Sequence, residues 1–513
     1  MEALFILFTV FMLYLFFKDR SQLNLGKGRL IFLPIQFAWL VLKGGYQLVS
    51  WLIHGLVAKS SGIYGTSAFM TAKEQKKFFD PNNRGLVLDG YAARLSETQS
   101  FNHTLITSPS GGGKSSTIII PNLHLLEGSI IATDIGGSLY QNSAGKLQER
   151  GYDIQIFNLR DPEQSFTYNP LATCRSDHDL EQVIDMLVNT AFEGDQKSDV
   201  FWTEGAKDCL MIVAKLLMRM PFEYQTLGEL RSLLLRFGER GQELTPLFAE
   251  YAENSLLEEF AALVTQSDRV LQSILSTAKV ALKKWSDPAI RYLTSDDAPL
   301  DFTRLRTRKS VLFITVPPER LEYYGVLISL LYSSLFAYGM ATENKQEPLH
   351  FLLDEVANIP PITSLPTIIA VARQKRMSLT LAIQSLSQLK EIYGQSSETI
   401  IANCSTKWFT GGLPLDTAQL VSQMLGNTTK WYTSPDNYDW LGRPKSRTEM
   451  SMPLMRPEEV MQLERGKVIV FHSTEKPMLL KTTPYFKHPT LKSWSTIPPP
   501  TVDSLFPDLP QSE

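Results

Sequence analysis

The sequence predicts an α/β protein with a mostly parallel β-sheet, and three observations support this fold class. Eight short apolar runs, each four to eight residues long, are rich in Ile, Val, Leu, Phe or Thr, as buried parallel strands tend to be. Helical patterns separate several of these runs, which indicates a doubly wound sheet. A long region without strand patterns follows the third run and predicts an all-helical insertion. The runs are 104–107, 129–133, 152–157, 310–316, 350–353, 378–383, 406–410 and 467–471.

The composition is that of a folded protein and excludes a disordered chain. Of the 513 residues, 43% are hydrophobic and 20% are charged, which is enough apolar content for two or three domains with full cores. The formal net charge of −3 gives no global sign of nucleic-acid binding, although a basic channel can lie inside an acidic surface. Three cysteines without metal-ligand spacing argue against a disulfide or zinc framework.

The first 58 residues are predicted to form a membrane anchor. Residues 3–17 contain one clearly polar side chain, and a second apolar region follows at 30–42. Trp39 and Trp51 suit an interfacial aromatic belt. The basic linker between the two regions is expected to stay cytoplasmic by the positive-inside rule, whereas a plain hairpin with cytoplasmic ends would place it outside. The topology therefore stays open, and a hydrophobic subunit interface is the alternative to an anchor.

A glycine-rich turn follows the first apolar run and precedes a helical pattern. It reads Ser-Pro-Ser-Gly-Gly-Gly-Lys-Ser-Ser over residues 108–116. Backbone N–H groups in such a turn wrap phosphate oxygens, and the following helix directs its positive end at them. Ser108 replaces the first Gly of the usual G-x-x-x-x-G-K-[ST] pattern, so a slightly altered first turn is expected. The predicted nucleotide-binding residues are Ser110, Gly111, Gly112, Gly113, Lys114, Ser115 and Ser116.

An acidic pair far downstream completes the predicted nucleotide site. The residues after the buried run 350–353 are expected to act in ATP hydrolysis. Asp354 is expected to lie among the ligands of a Mg²⁺ ion, and Glu355 to act as the base for the water that attacks the γ-phosphate of ATP. Lys114 is expected to reach the outer phosphates, and Ser115 to share the metal with Asp354. Together with the α/β pattern, the two motifs predict a RecA-like P-loop NTPase. The strandless region adds an all-helical inserted domain to the predicted fold class, and the first 58 residues add an N-terminal membrane anchor.

The chain is predicted to contain four parts. After the anchor, the helical insertion divides the nucleotide-binding domain, and its apolar stripes are expected to form a core. The expected function of the insertion is contact with cargo or with neighbouring subunits. The Pro-rich carboxy-terminal segment lacks the apolar content of a folded module and is expected to be a flexible, solvated tail. The parts are 1–58 (anchor), 59–176 with 299–487 (P-loop domain), 177–298 (insertion) and 488–513 (tail).

With these features placed, the chain resembles the type IV coupling proteins of conjugative transfer, the TraG/TraD group. Besides the glycine-rich loop, the resemblance rests on the Phe-Trp pair at 201–202, on Leu-Asp-Glu-Val-Ala-Asn at 353–358 and on Gln-Ser-Leu-Ser-Gln-Leu at 384–389. The chain departs from the family at Ser108 and at Gly-Gly-Ser 136–138, where the family usually has Lys-Gly-Glu.

The resemblance implies a homo-hexamer in the bacterial inner membrane, with the motor domain in the cytoplasm and nucleotides at subunit interfaces. It implies that Arg373 is an arginine finger for the neighbouring subunit, with Arg376 as the second candidate. Gln384 matches a polar sensor that contacts the γ-phosphate. The implied catalytic set is therefore Glu355, Arg373 and Gln384. Asp134 is expected to orient metal-bound water.

The resemblance further implies an ATP-driven motor for conjugation. Such a motor recruits single-stranded DNA with its attached relaxase and moves it to the channel of a type IV secretion system. Two alternatives stay open. A coupling ATPase that exports effector proteins would have the same motor residues. A double-stranded DNA translocase would carry a folded carboxy-terminal DNA-reading module, for which a tail of about 25 residues leaves no room.

Overall fold

The structure is a computed structural model that describes residues 62–80, 82–192, 200–343, 346–359, 361–432, 448–501 and 505. The predicted anchor, residues 1–58, lies outside the described residues. The described chain falls into two compact units, a larger one built from 67–427 and 453–501 and a smaller one that includes 62–66, 428–432 and 448–452. The candidate site lies in the larger unit.

A nine-stranded sheet forms the centre of the larger unit, and all eight predicted strands are present in it, because each is a buried apolar run. The strands of the described chain are β1 Thr104–Thr107, β2 Ser129–Ile135, β3 Asp153–Asn158, β4 Ser310–Val316, β5 Leu349–Leu353, β6 Met377–Ile383, β7 Thr406–Phe409, β8 Asn427–Tyr432, β9 Thr448–Pro453, β10 Lys467–His472 and β11 Met478–Lys481. Their order in the large sheet is β11-β10-β7-β1-β6-β5-β2-β4-β3. The neighbours of β1, β2 and β5 in the sheet run parallel to them, as predicted.

One strand runs against the predicted direction. The run at 467–471 was expected to be parallel, but β10 pairs antiparallel with both β7 and β11. A short connection of residues 473–477 joins β10 to β11, and only antiparallel strands can be joined so closely. The smaller unit contains the other antiparallel pair, β8 with β9, beside which the Tyr64 amide donates to Thr429 Oγ1 (3.1 Å).

Helices cover both faces of the large sheet. Residues Ser115–Ile119 form a π-helical turn that leads directly into α3. The helices are α1 Ala72–Phe78, α2 Glu97–Ser100, α3 Ile120–Leu125, α4 Ser138–Glu149, α5 Asp177–Ala191, α6 Val200–Leu217, α7 Leu227–Leu235, α8 Thr245–Tyr251, α9 Asn254–Val264, α10 Asp268–Ala281, α11 Pro288–Leu293, α12 Arg304–Thr307, α13 Leu321–Ala341, α14 Leu365–Val371, α15 Leu386–Tyr393, α16 Ser396–Asn403, α17 Leu415–Leu425, α18 Pro457–Met461 and α19 Pro489–Trp494.

The region predicted to be an insertion contains helices and no strand among its described residues. Its apolar stripes, for example Leu187 and Val213, are buried. The core that they form is continuous with the apolar core on one face of the sheet, which includes Phe157 and Phe351. The domain boundaries at 177 and 298 stay a prediction.

Helix α13 packs within this core. Among the described residues, the segment Pro318–Ala341 alone has the length and apolar composition of a membrane span, and 67% of its most apolar stretch is buried in the protein.

The carboxy-terminal segment differs from the predicted solvated tail. Residues Pro489–Trp494 form α19, and Leu491 in it is fully buried. Beyond the helix, the Tyr140 hydroxyl donates to the Pro500 carbonyl (2.8 Å), and the Ile497 and Pro498 carbonyls pass so close to Gly145 that a Cβ there would lie 2.3 Å from one of them. The prediction is therefore wrong for residues 488–501. A buried leucine, backbone contacts with Gly145 and contacts of Trp494 with His124 and Lys146 dock this segment despite its low apolar content.

Candidate functional site

The glycine-rich loop connects β1 to the π-helical turn at the carboxyl edge of the sheet. Gly111 and Gly113 have left-handed backbones, with φ of 72° and 92°, a conformation that favours glycine. Ser110, Gly111 and Gly112 are exposed, whereas Lys114 is buried, and the Gly112 amide donates to the Pro109 carbonyl (3.0 Å) within the loop. The loop is therefore open to solvent at this edge of the sheet, as access of a phosphate requires.

Ser108 fixes the first turn of the loop. Its side chain is fully buried, and its Oγ accepts a hydrogen bond from Thr410 Oγ1 (3.1 Å), just beyond β7. A Cβ at position 112 would lie 2.2 Å from Ser108 Oγ, so a larger residue at Gly112 would displace the Ser108 hydroxyl. The departure from the usual motif thus adds a hydrogen bond to the neighbouring strand and preserves the turn. Sequence reasoning did not identify Thr410, although its position at the end of a predicted strand next to β1 was a usable signal.

The two predicted halves of the site meet in the structure. Lys114 Nζ lies 2.9 Å from Glu355 Oε1, and Ser115 Oγ donates to Asp354 Oδ2 at 2.6 Å. The contacts join residues that are about 240 positions apart in sequence. They form because β1, β6 and β5 are adjacent parallel strands, whose carboxyl ends share one edge of the sheet.

Ser115 and Asp354 have the oxygen ligands that a Mg²⁺ ion prefers. Asp354 Oδ1 is buried and has no hydrogen-bond partner among the described residues, and Mg²⁺ is usually held by one or two carboxylates together with hydroxyl, water and phosphate oxygens. Burial raises the pKa of Asp354, against the opposing effects of the Ser115 hydroxyl and the Lys114 charge. A divalent cation beside this carboxylate would favour its charged form and relieve that cost.

Glu355 is held in an unusual backbone conformation. Its φ is 54°, a left-handed value that non-glycine residues adopt rarely and that clusters at functional sites. The Asn358 side-chain amide donates to Glu355 Oε2 at 2.7 Å, while Oε1 faces Lys114. Both carboxylate oxygens are thus oriented. No role was predicted for Asn358, although its spacing of three residues from Glu355 within the acidic motif was a signal.

Gln384 lies beside the glycine-rich loop. It directly follows β6, where Ile383 is paired with Thr107, and the Ser108 amide donates to the Ile383 carbonyl (3.1 Å). Its own amide N–H donates to Gln388 Oε1 at 3.3 Å, and the residue is half-buried. The structure therefore brings Gln384 to the same edge as Lys114. Ser116 also lies there, but its hydroxyl donates to the Gly113 carbonyl (3.1 Å).

The two candidate arginines lie at the opposite edge of the sheet. They precede the amino end of β6, in and just after the 3₁₀ turn Ala372–Lys375. Arg373 is exposed, whereas the Arg376 guanidinium forms an ion pair with Glu97. Because β6 has seven residues with a rise of about 3.3 Å each, roughly 20 Å separates Arg373 from the loop edge. Neither arginine joins the site within one subunit.

Asp134 has a structural role, and its predicted role in orienting metal-bound water stays a prediction. Its two carboxylate oxygens accept the backbone N–H groups of Leu139 (2.9 Å) and Tyr140 (2.8 Å), in the first turn of α4. Burial raises the pKa of Asp134 to about 6, and these hydrogen bonds oppose the shift. The carboxylate caps the helix that follows Gly137, and each of its oxygens accepts one backbone N–H group.

The sequence matches the family described as Type IV secretory system Conjugative DNA transfer over residues 66–502. VirD4 proteins of Rhizobium radiobacter and Agrobacterium fabrum are 26% and 25% identical over 407 residues, which is 76% of this chain. The chain spans 58% and 59% of the lengths of these curated relatives. A conjugal transfer protein TraG of Escherichia coli is 24% identical over 443 residues, covering 78% of this chain and 70% of that protein.

The fold is similar to that of solved coupling proteins. The plasmid coupling protein TrwB in complex with ADP and Mg²⁺ has a TM-score of 0.62, with 17% identity, and the match covers 81% of this chain and 93% of that one. The unbound monoclinic form of TrwBdeltaN70 has a TM-score of 0.61 with this chain. This likeness confirms the predicted RecA-like α/β fold. The family match extends over most of the sequence, and the chain therefore belongs to the type IV secretion system coupling proteins of conjugative DNA transfer.

Proposed function

We propose that the chain is an ATP-driven coupling motor that recruits relaxase-bound single-stranded DNA and moves it to a type IV secretion channel during conjugation. Its motor domain would lie in the cytoplasm, anchored to the bacterial inner membrane through residues 1–58. One observation carries the proposal: Lys114 and Ser115 contact Glu355 and Asp354 at a single edge of the sheet. TrwB, which has the same fold, binds ADP with Mg²⁺ and the ATP analogue ADPNP.

The residues at this edge have complementary tasks in ATP hydrolysis. The amides of the glycine-rich loop hold the phosphates, and Lys114 neutralises charge on them after leaving Glu355. Glu355 is then free to accept a proton from the attacking water. Ser115 and Asp354 would hold Mg²⁺, which when bound offsets charge on the phosphate oxygens. Gln384, beside the loop, is the candidate sensor of the γ-phosphate.

A ring of subunits would supply the missing cation. Of the two candidate arginines, neither lies at the edge that carries the glycine-rich loop, and Arg373 is roughly 20 Å away at the other edge of the sheet. Arg376 is held by Glu97, so the exposed Arg373 is the better candidate for an arginine that acts on a neighbouring subunit. This arrangement supports nucleotides at subunit interfaces of a homo-hexamer.

Two assays test the cargo and the motor separately. Phosphate release by the full chain, measured with single-stranded DNA, duplex DNA or no DNA, should rise with single-stranded DNA. Stimulation by duplex DNA alone would favour a duplex translocase, and indifference to both would favour effector export. Plasmid transfer from donor cells should be lost in Lys114→Ala and kept in Lys77→Ala, which changes an exposed lysine of α1. Normal transfer by Lys114→Ala would contradict the proposal.

A further inference from the structure

The guanidinium of Arg306, in the short helix α12, is fully buried. Burial lowers the pKa of Arg306 to about 10, so it stays charged at neutral pH. Within the described part of the chain, no carboxylate forms an ion pair with it. Such a charge is expensive to bury unless hydrogen bonds compensate it; the two terminal nitrogens of Arg306 have acceptors, whereas Nε has none among the described residues.

Three backbone carbonyls from three separate elements accept from this guanidinium. Nη2 donates to Gly339 (3.1 Å), near the end of α13, and to Lys375 (2.8 Å), in the 3₁₀ turn that carries Arg373. Nη1 donates to Glu347 (3.1 Å), just before β5. Carbonyls at the end of a helix lack partners within it. Arg306 therefore satisfies such groups and ties the three elements together.

The turn that carries Arg373 is held from its other side as well. Arg376, which follows the turn, has a left-handed backbone (φ 51°), and its carbonyl accepts the Leu349 amide of β5 (3.0 Å). Its guanidinium pairs with Glu97 of α2. The backbone of the turn is thus fixed on both sides, while the Arg373 side chain stays exposed.

We infer that Arg306 is a positioning residue for Arg373: it fixes the backbone from which Arg373 reaches the nucleotide of the neighbouring subunit. This inference rests on the proposed role of Arg373 in that subunit's hydrolysis. Arginine is required because its planar fork can donate to several carbonyls at once, whereas lysine is a single point donor on a flexible stem. The buried guanidinium thus connects α12, which follows the helical insertion in sequence, to the turn that carries Arg373.

The first test is the steady-state ATPase activity of the full chain with single-stranded DNA. Arg306→Lys keeps the charge but loses the three-way contact, and a misplacement of about 1 Å can cost roughly 10²-fold in rate. We expect kcat to fall by about that factor and KM for ATP to stay within about twofold, because the glycine-rich loop lies at the other edge. Arg304→Lys is the matched control, since Arg304 is in the same helix but half-exposed and bound to Asp153 and Asp301. Its kcat should change by less than about twofold.

A double-mutant cycle then separates positioning from general destabilisation. In an Arg373→Ala background, Arg306→Lys should lower kcat no further, because the residue through which it acts is gone. An independent further loss would overturn the inference while leaving the proposed function intact. Full activity of Arg373→Ala alone would instead overturn the proposed role of Arg373 and the inference with it.

Hydrogen exchange provides a readout that does not depend on catalysis. Amides of residues 372–377 should exchange faster in Arg306→Lys than in the wild type, whereas those of the glycine-rich loop should not. Unchanged exchange in 372–377 would overturn the inference. If Arg306→Lys does not fold, Arg306→Gln takes its place, because it removes the buried charge and keeps two N–H donors. The same losses are expected from it, and wild-type kcat in folded Arg306→Gln would refute the positioning role.

Discussion

From the ion pair between Lys114 and Glu355 we predict that nucleotide affinity rises when the carboxylate is removed. In the structure the lysine faces the carboxylate at 2.9 Å, with side-chain exposures of 7% and 25%. Lys114 must leave Glu355 in order to contact the phosphates. The pair therefore competes with the nucleotide, and Glu355→Gln should strengthen binding while it removes the base.

The size of this effect follows from the loss of the ion pair. Lys114 stays charged when it donates to an amide, so the substitution removes only the attraction between opposite charges, which contributes up to about 1 kcal/mol in partly exposed pairs. Replacing the carboxylate by an amide thus weakens the competing contact by about 1 kcal/mol, which is about fivefold in a dissociation constant. Removing a negative charge near the phosphates acts in the same direction. Loss of the base should lower kcat by about 10²–10⁴-fold.

Calorimetric titration with ADPNP and Mg²⁺ at fixed salt concentration measures the affinity, and phosphate release measures kcat. Glu149→Gln is the matched control, because it removes the same charge from an exposed pair with Lys146 (3.0 Å) and should change neither quantity. An unchanged or weaker affinity in Glu355→Gln would refute the competition. A retained kcat would refute the assignment of Glu355 as the base.

Three further predictions concern stability and the glycine-rich loop. Leu491→Ala should lower the free energy of unfolding in urea by about 2–5 kcal/mol, because the side chain is fully buried; a change below about 0.5 kcal/mol would fit a solvated tail instead. Burial lowers the pKa of His350 to about 4, so the unfolded chain, with a histidine pKa of about 6.5, binds more protons between these values and stability falls as the pH drops from 6.5 towards 4. His350→Gln should therefore lose roughly 1 kcal/mol less than the wild type between about pH 7.5 and 5.5, and an equal loss would contradict a buried neutral histidine. Thr410→Val removes the donor to Ser108 and should weaken binding of ADPNP with Mg²⁺ by about threefold; wild-type affinity would show that this hydrogen bond does not shape the loop.

The central strands were predictable because each is a continuous apolar run buried on both faces, as β4 and β6 show. Two kinds of strand were not. The pair β8 and β9 is largely exposed and polar, so it carries no apolar run. The strand β11 reads Met-Leu-Leu-Lys and contains no β-branched or aromatic residue, so its composition does not indicate a strand. A short connection makes β10 and β11 antiparallel to each other, and the composition of β10 does not indicate that it also runs antiparallel to β7.

The candidate site was predictable to the extent that motifs carry it. Lys114, Ser115, Asp354 and Glu355 stand in recognisable patterns, and the parallel sheet brings them together. Contacts between residues without a motif were not predictable, because nothing local specifies them. Arg306 is the clearest case: its three acceptors are backbone carbonyls, which any residue type provides.

The most direct test of the nucleotide site is magnesium-dependent ATP hydrolysis by the purified full chain. We predict phosphate release that requires Mg²⁺, is lost in Lys114→Ala and in Asp354→Asn, and is kept in Lys77→Ala. Hydrolysis that persists in both site variants, or that continues unchanged when Mg²⁺ is chelated, would contradict a shared metal and phosphate site at this edge of the sheet.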